Sequence, residues 1–379
     1  MENTQTENGT NINNQPFEFT GKALEYFSIW IVNVALTIIT LGIYSAWAKV
    51  RTNQYFYGNT LLDGASFRYT AKPTQILKGR VIAFILFVLY YFASMANPVV
   101  AGIIFLFILL LVPAFVVMSM AFRLRNSMYR NVRFNFDKKF ARAYKVFFIP
   151  VIFIGAYLFV ASQIEHLQSA DTETSTMLGI VIIVLLLGII LMVPWWEYIV
   201  TRFKVTHAKY GKAEFSFSAR MKNYYGMYLK AYLLSILIFG VIGALIAGMM
   251  KSMTSDAGSM ASTIIIALLI FPAYLWLFAY FQTKRTNLIY GNLKIDGHKV
   301  KSELKTGYML YLYVTNTLAI MLTLGLLMPW AKIRTAKYRV SVTSIDVVGD
   351  LSQFVAAQEQ YQSAMGEEIG EMFDLDLGF

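Results

Sequence analysis

Long apolar segments separated by basic loops constrain this chain more than any other feature of its sequence. An α-helix needs about 20 mostly apolar residues to cross a bilayer. Charged residues make up only 15% of the 379 residues, against about 25% in soluble proteins, and most of them lie between the apolar segments. The pattern predicts an α-helical multi-pass membrane protein with candidate spans at 26–47, 81–96, 99–122, 146–164, 177–201, 225–250, 262–281 and 308–330.

The distribution of positive charge predicts which side of the membrane the loops face. The loops at 48–80, 123–145, 202–230 and 284–305 hold most of the 33 Lys and Arg residues, whereas the connections between them are nearly neutral. Loops rich in Lys and Arg remain in the cytoplasm. A net charge of +11 would also suit a nucleic-acid-binding protein, but with 57% hydrophobic residues we expect the lipid bilayer as the partner and no nucleic acid.

The basic loops resemble one another, which indicates an internal repeat. The motif Y-G-N-T-L-L-D-G at 57–64 matches Y-G-N-L-K-I-D-G at 290–297 without a gap. A D-G pair between alternating residues is typical of a β-hairpin, so Asp63 and Asp296 are predicted to be turn residues. All four loops also align on a tyrosine that a basic residue precedes by six places, at Tyr57, Tyr129, Tyr210 and Tyr290.

The repeats predict a single membrane domain over 17–345, with a disordered tail at 1–16 and an acidic tail at 346–379. An isolated hairpin is marginally stable in water, so the hairpins are expected to meet in a small cytoplasmic β assembly beneath a quasi-repeated helix bundle. If the acidic tail is cytoplasmic, it could fold back onto the basic loops. The predicted repeats lie at approximately 17–60, 67–131, 134–211, 215–292 and 295–343.

The first and last apolar segments match each other, and this match leaves two topologies open. Residues 33–52 align without a gap on 316–335. Eight simple spans would give the two segments opposite orientations and place the basic residues at 330–339 outside, against the positive-inside rule. If both segments are instead re-entrant and bend near Gly42 and Gly325, all basic segments are cytoplasmic. The alternatives are six spans plus two re-entrant segments, or eight spans.

Several motifs resemble the YjgN-like family of bacterial inner-membrane proteins, a family of unknown function. They are F-x-F-T-G-K-x-x-E-Y-F at 17–27, T-L-G-I-Y-S-A-W-A-K-V-R at 40–51 and G-E-E-I-G-E-M-F-D-L-D-L-G at 366–378. The resemblance covers nearly the whole chain after residue 16. It implies a bacterial inner membrane and a single multi-pass unit, but no activity, substrate or catalytic residue.

Polar residues within the apolar segments are candidates for a permeation or binding site. Asn33 and Asn316 occupy equivalent positions in the matched segments, as do Thr40 and Thr323. They either pack the two segments together or form two halves of one site at a pseudo-symmetric interface. Glu197 follows two tryptophans, which suggests an interfacial structural role or a coupling role.

The basic residues next to the apolar segments are candidates for contacts with anionic phospholipid headgroups, at about 1 kcal/mol per nearby charge. They are Lys49, Arg51, Arg123, Arg125, Arg202, Lys204, Lys284, Arg285, Lys332 and Arg334. His166, His207 and His298 have no acidic or histidine neighbour at ligand spacing, so we expect them to face solvent and to bind no metal. The sequence has no cysteine, which excludes thiolate metal sites and disulfides.

Three functional classes are compatible with these features. A transporter or channel for a small molecule or lipid is favoured by the repeats and the possible re-entrant segments. A membrane scaffold or regulatory protein, acting through the hairpins and the acidic tail, is the alternative. A lipid-modifying enzyme ranks third, because the sequence lacks recognisable catalytic and cofactor motifs. Protein partners and a homo-oligomer are not determined by the sequence.

Overall fold

The computed structural model describes residues 4–7, 10–162, 172–252 and 256–374. The strands in this part are β1 (Thr4–Glu7), β2 (Thr10–Phe19), β3 (Thr60–Leu62), β4 (Ala65–Tyr69), β5 (Ser127–Tyr129), β6 (Val132–Phe136), β7 (Ala208–Tyr210), β8 (Ala213–Phe217), β9 (Leu293–Ile295), β10 (His298–Ser302) and β11 (Thr343–Val348). The helices are α1 (Ala23–Ile39), α2 (Ser45–Gly58), α3 (Pro73–Ala96), α4 (Pro98–Arg125), α5 (Phe140–Ser162), α6 (Thr172–Thr206), α7 (Met221–Ser252), α8 (Asp256–Tyr290), α9 (Thr306–Leu322), α10 (Met328–Ser341) and α11 (Leu351–Asp374).

The chain divides into two compact units. The terminal unit comprises Met1–Ala35, Tyr55–Ser66 and Ser218–Asp350, and the central unit comprises Leu36–Gln54, Phe67–Phe217 and Leu351–Phe379. In the terminal unit the antiparallel strands run in the order β1-β2-β11-β10-β9, and β3 also pairs with β2. In the central unit the order is β8-β7-β6-β5-β4, again antiparallel.

The D-G pairs form the hairpin turns that the sequence predicts. Asp63 and Gly64 both have positive φ, 47° and 69°, and so do Asp296 and Gly297, at 45° and 88°. Two central residues with positive φ define the type I′ turn, whose twist matches that of the flanking strands. The prediction that Asp63 and Asp296 are turn residues is therefore confirmed.

Each pair of helices between two hairpins is closed by the same backbone hydrogen bond. The N–H just after a strand donates to the C=O of a residue one or two places after the end of the second helix of the pair. The bonds measure 2.8–3.0 Å and join Thr20 to Asn59, Thr70 to Asn126, Asp137 to His207, Ser218 to Asn292 and Glu303 to Val342. Each helix pair therefore returns to the strand from which it starts.

These closing bonds correct the alignment of the loops on tyrosine. Tyr129 and Tyr210 lie in strands β5 and β7, whereas Tyr57 and Tyr290 lie in the last turns of α2 and α8. The closing bonds make Asn59 equivalent to Asn126. The predicted match of Tyr57 with Tyr290 therefore holds, whereas Tyr129 and Tyr210 are out of register with them by five residues, because tyrosines occur both in the last helical turn and in the following strand.

Residues predicted to be a disordered tail belong to a strand. Residues 10–16 are part of β2, which pairs with β11 from Ile12 opposite Val348 to Pro16 opposite Ser344. The side-chain amide of Asn14 donates to a carboxylate oxygen of Asp346 at 2.7 Å. Local composition could not reveal this strand, because its partner lies more than 300 residues away in the sequence.

Five of the described helical segments are long and apolar enough to cross a membrane. Many of their apolar side chains point outward, as those of Phe84, Phe92 and Leu106 do. An exposed apolar surface of this extent suits lipid and not water. The protein is therefore a mostly helical membrane protein, with candidate spans at Pro73–Ala96, Pro98–Arg125, Phe140–Tyr157, Gly179–Thr206 and Met221–Gly248.

The first and last apolar segments are each broken into two helices. The break after α1 has Leu41 and Gly42 at φ 50° and 91°, and the break after α9 has Leu324 and Gly325 at φ 49° and 94°. These are the bends that the sequence predicts near the two glycines. A left-handed conformation ends a helix and suits glycine, which has no Cβ to clash.

A threonine stabilises each break in the same way. The Thr40 hydroxyl donates to the Leu36 carbonyl at 2.7 Å and accepts from the N–H of Tyr44 at 2.9 Å. Thr323 makes the equivalent bonds in the second break, at 2.7 Å and 3.1 Å. Both threonines therefore satisfy backbone groups that the break would otherwise leave open.

The acidic tail includes a helix that packs on hairpin turns of the central unit. The buried Gln358 side chain of α11 accepts hydrogen bonds from the N–H groups of Lys212 and Ala213, at 2.9 Å and 3.3 Å. Glu359 accepts from the amide of Asn131 at 3.2 Å. Phe354 stacks on Tyr210 with ring centroids 6.0 Å apart. The tail thus folds onto two of the basic loops, mainly through amide and aromatic contacts.

Two histidines predicted to face solvent are buried. His207 is 5% exposed and His298 is 4% exposed. Nδ1 of His298 accepts a hydrogen bond from the N–H of Val348 at 3.0 Å, which joins the start of β10 to the end of β11. The prediction failed because spacing to acidic residues says nothing about strand pairing. His166 lies outside the described residues.

Because α11 packs against the β7–β8 turn, a side chain added at Gly211 should weaken the packing of this helix. A Cβ there would lie 2.7 Å from Oε1 of Gln358, whereas a Cβ on Gly64 would meet nothing within 4 Å. Both glycines have positive φ, 58° and 69°, so Gly64→Ala is a matched control for backbone strain. We expect Gly211→Ala, and not Gly64→Ala, to accelerate cleavage after Glu359 by a glutamate-specific protease. Equal cleavage rates in the two variants would contradict the docking of α11.

The burial of His298 predicts a loss of stability in acid. Burial lowers the pKa of His298, and the charge of Asp296 offsets this only in part. As the pH falls below about 6.5, the unfolded chain takes up a proton that the folded protein does not yet bind. The free energy of unfolding should therefore decrease between pH 7.5 and pH 5.5, measured as the thermal midpoint. His298→Asn, which keeps a hydrogen-bond acceptor, should show a smaller fall of the thermal midpoint over this pH range. An equal fall in the variant and the parent would show that His298 does not cause the loss of stability.

Candidate functional site

The terminal unit contains a shallow, largely open cavity of about 710 Å³, a volume within the range of small-molecule sites. One face of α9 and one face of α10 form most of its wall. Phe19 of β2, Phe56 of α2 and Thr60 of β3 line it on another side. The lining residues of the two helices are Tyr313, Asn316, Thr317, Ile320, Met328, Ala331, Lys332, Thr335, Ala336, Arg339 and Val340.

The sequence spacing explains why these side chains share a wall. On α9, Tyr313, Asn316 and Ile320 are separated by three and four residues, and on α10 Lys332 and Arg339 are separated by seven. Residues at these spacings lie on the same face of a helix. The break at 323–327 turns the chain back, so that these faces of α9 and α10 line the same cavity.

Asn316 connects the two helices at the cavity wall. It is buried, and its amide donates to the Ala331 carbonyl at 3.3 Å and to the Thr335 hydroxyl at 3.1 Å. Its side-chain oxygen accepts from a guanidinium nitrogen of Arg334 at 3.3 Å. In a bilayer such interhelical bonds are worth about 0.6–2 kcal/mol. Asn316 is therefore both a packing residue and a lining residue.

The guanidinium group of Arg334 contacts other side chains of α9 and α10. Its guanidinium carbon lies 5.1 Å from the ring centroid of Trp330 and 4.8 Å from that of Tyr311. It also donates to the hydroxyl of Thr315. Cation–π contacts of this kind replace part of the hydration that a charge loses near the membrane. The charge of Arg334 thus stabilises the α9–α10 pair.

Lys332 and Arg339 are the cations that line the cavity. Both are exposed, and they lie on one face of α10, about 10 Å apart along the helix axis. Arg339 donates a hydrogen bond of 3.4 Å to the hydroxyl of Thr286. The described lining residues include neither a carboxylate nor an imidazole, so the cavity has a positive end.

The other polar candidates lie elsewhere. Asn33 is buried in α1 but is not among the residues that line the cavity. Thr40 and Thr323 stabilise the helix breaks, as described above. Glu197 is buried in α6 of the central unit, next to Trp196, whose indole donates to the Val146 carbonyl at 3.0 Å. Of the five polar candidates, only Asn316 therefore lines the cavity.

The remaining basic candidates share a position in the repeat. They lie on the second helix of a pair: Lys49, Arg51, Arg123, Arg125, Arg202, Lys204, Lys284 and Arg285. Some contact neighbouring polar groups; Arg125 donates to Asn135 at 3.3 Å, and Arg202 donates to Tyr198 at 3.4 Å. Six of them lie within the last two turns of α4, α6 or α8, near the strands, whereas Lys49 and Arg51 lie in the first half of α2. Sequence reasoning missed Arg339 and the aromatic lining residues, which no motif distinguishes.

Within the described residues, no group of three His, Cys, Asp or Glu side chains could hold a metal ion.

Comparison with known proteins identifies the family to which the chain belongs. A family described as "Bacterial protein of unknown function (DUF898)" matches residues 14–372. No solved structure matches the chain.

Three curated relatives carry the name "Inner membrane protein YjgN". The protein of Salmonella typhimurium (strain LT2) is 25% identical over 367 residues, 92% of each chain. That of Escherichia coli O157:H7 is 29% identical over 196 residues, 49% of this chain and 47% of the relative. That of Escherichia coli K12 is 27% identical over 188 residues, 47% and 46% of the two chains. The resemblance seen in the sequence motifs is confirmed, and the chain belongs to this bacterial family of unknown function.

Proposed function

We propose that this protein is a carrier in the bacterial inner membrane that binds a small molecule or lipid in the cavity of the terminal unit. The observation that carries the proposal is the cavity itself, about 710 Å³ between α9, α10 and the aromatic side chains of Phe19 and Phe56. Pockets of this size with an apolar wall and a few polar groups are typical ligand sites. The names of the relatives support the inner-membrane location.

The helix breaks also support a carrier. Substrate sites of membrane transporters are often formed by discontinuous helices that occupy corresponding positions in repeated segments. Here the matched first and last segments are both discontinuous, and the second of them forms the cavity wall. The described lining residues lack carboxylates and imidazoles, which favours binding over acid–base catalysis.

We favour six spans plus two re-entrant helix pairs, with the strands and basic loops in the cytoplasm. With 17 residues, α9 is about 25 Å long, shorter than the roughly 30 Å hydrocarbon core. The bond from Glu303 to Val342 returns the pair to its starting strand. At the break between the helices Leu324 is 96% exposed, as Leu41 is 95% exposed in the first break. Leucines exposed at a turn suit the interior of a bilayer.

A scaffold role remains the second candidate, supported by the strands that the repeats contribute. The packing of α11 on the turns of the central unit counts against recruitment of a partner by this helix, because the side chains of Phe354 and Gln358 already contact Tyr210 and Lys212. A partner would have to bind the remaining face of α11 or the strands.

The re-entrant topology predicts the sidedness of residues that flank α9 and α10. Since the sequence has no cysteine, single variants Lys294→Cys and Ser341→Cys report only on their own positions. Both should react with a membrane-impermeant maleimide in inside-out vesicles and not in right-side-out vesicles. Leu324→Cys should be protected in both preparations. Labelling of Ser341→Cys in right-side-out vesicles would establish eight spans instead.

Filling the cavity should abolish ligand binding. Ala336 is a half-buried lining residue of α10, so Ala336→Trp should displace whatever occupies the cavity. Ser341→Trp adds the same bulk at the exposed end of the same helix and is the control. We expect a molecule that native mass spectrometry detects on the protein, purified in native lipid discs, to be lost from Ala336→Trp alone. Retention of that molecule by a folded Ala336→Trp would refute the proposed site.

A further inference from the structure

We infer that the cavity binds an anionic phospholipid of the cytoplasmic leaflet, with its phosphate between Lys332 and Arg339 and an acyl chain directed toward Ile320 and Met328. This inference rests on the proposed function and specifies its ligand. It depends on the order of side chains along the cavity, on their charge, and on the direction in which the helix pair enters the membrane.

The lining residues of α10 change from apolar to basic along the helix, whereas Phe19 and Phe56 line the cavity at the end where the helices meet the strands. Met328 lies at the start of the helix, Lys332 follows one turn later, and Arg339 lies two further turns toward the sheet. Ile320 of α9 lies near the same end as Met328, since both flank the break at 323–327. An amphiphile has the same order of parts, an apolar chain followed by a polar headgroup.

The cations are placed to bind a phosphate. Lys332 and Arg339 are about 10 Å apart along one helix face, and both have long side chains that can converge on a group between them. Arginine binds phosphate oxygens in pairs and lysine binds them as a point charge. With no carboxylate among the described lining residues, nothing in the wall competes for these charges.

A lipid fits this cavity better than free phosphate does. Phe19 and Phe56 stack with centroids 5.8 Å apart and, with Ile320, give the cavity an apolar wall. Inorganic phosphate would bind only Lys332 and Arg339 and would leave these apolar side chains without an apolar partner. An acyl chain would cover them and gain the free energy of apolar contact.

The direction of the helix pair matches that of a cytoplasmic-leaflet lipid. The break between α9 and α10 exposes Leu322, Leu324 and Leu326, so this end is directed toward the hydrocarbon core. The opposite end leads to β11 and carries Arg339. A bound phospholipid would then keep its ordinary orientation, with the headgroup at the anionic cytoplasmic surface.

The test is lipid selectivity measured on the full chain. Purified protein is exchanged into discs of phosphatidylcholine that contain a minor fraction of phosphatidylglycerol, and retained lipid is measured by native mass spectrometry. We expect phosphatidylglycerol to be enriched on the protein. Lys332→Gln/Arg339→Gln should lower this enrichment by about 30-fold, taking two charges at the typical contribution of a basic residue near anionic lipid.

Lys294→Gln/Lys337→Gln is the matched control, because it removes the same net charge at exposed residues that do not line the cavity. The enrichment of phosphatidylglycerol on this control variant should stay within a factor of about two to three of that on the parent protein. An equal loss in both double variants would overturn the inference, since only bulk charge would then matter. Displacement of the lipid by millimolar inorganic phosphate would also overturn it in favour of a phosphate site.

Failure of the inference and failure of the proposed function give different results. If Ala336→Trp loses a bound molecule while Lys332→Gln/Arg339→Gln keeps it, the cavity is a ligand site but the ligand is not held by its charge. If Ala336→Trp keeps the enriched lipid, the cavity is not the site and both proposals fail. Thermal midpoints of all variants confirm that each is folded before its lipid is measured.

Discussion

The backbone hydrogen bond that closes each helix pair is the constraint on which the rest of this fold depends. Polar backbone groups cannot remain unpaired in a bilayer, so the chain enters lipid as helices and must return to water before it can form strands. The bonds from Thr20 to Asn59 and from Glu303 to Val342 fix that return at the first and last pairs. The second helix of each pair then ends where a strand begins, and basic residues in its last turns, such as Arg125 and Arg339, lie near the sheet.

The first and last helix pairs show how one sequence pattern acquires two roles. At the sheet end they are alike: the Tyr55 hydroxyl accepts from the N–H of Lys22 at 2.8 Å, and Tyr338 accepts from Lys305 at 2.9 Å. Farther along they differ. Arg334 of the last pair packs on Trp330 and Tyr311, whereas the position equivalent to Tyr311 in the first pair is a serine, Ser28. The last pair forms most of the cavity wall, to which the first pair contributes Phe56 of α2.

Local patterns predicted local structure well. The D-G turns at Asp63 and Asp296 and the bends near Gly42 and Gly325 follow from backbone preferences that a few residues decide. The predictions that failed depend on contacts between residues that are far apart in the sequence, or on which element a residue belongs to. The alignment of the loops on tyrosine was wrong at Tyr129 and Tyr210 because it compared residues in a helical turn with residues in a strand. The burial of His298 and the strand at residues 10–16 depend on β11, which lies far away in the sequence. Asn316 was a sequence candidate, but its place on a cavity wall was not predictable.

By itself, the sequence determined that this is a repeated membrane protein, because apolar length, basic loops and turn residues act over distances of a few to about 25 residues. It also determined the family, since matched motifs extend over nearly the whole chain. Only the tertiary structure decided which polar residues share a space. The cavity brings Phe19, Phe56 and Arg339 together from distant parts of the chain. Such a meeting depends on strand pairing and helix packing between segments, for which no single segment carries a signal.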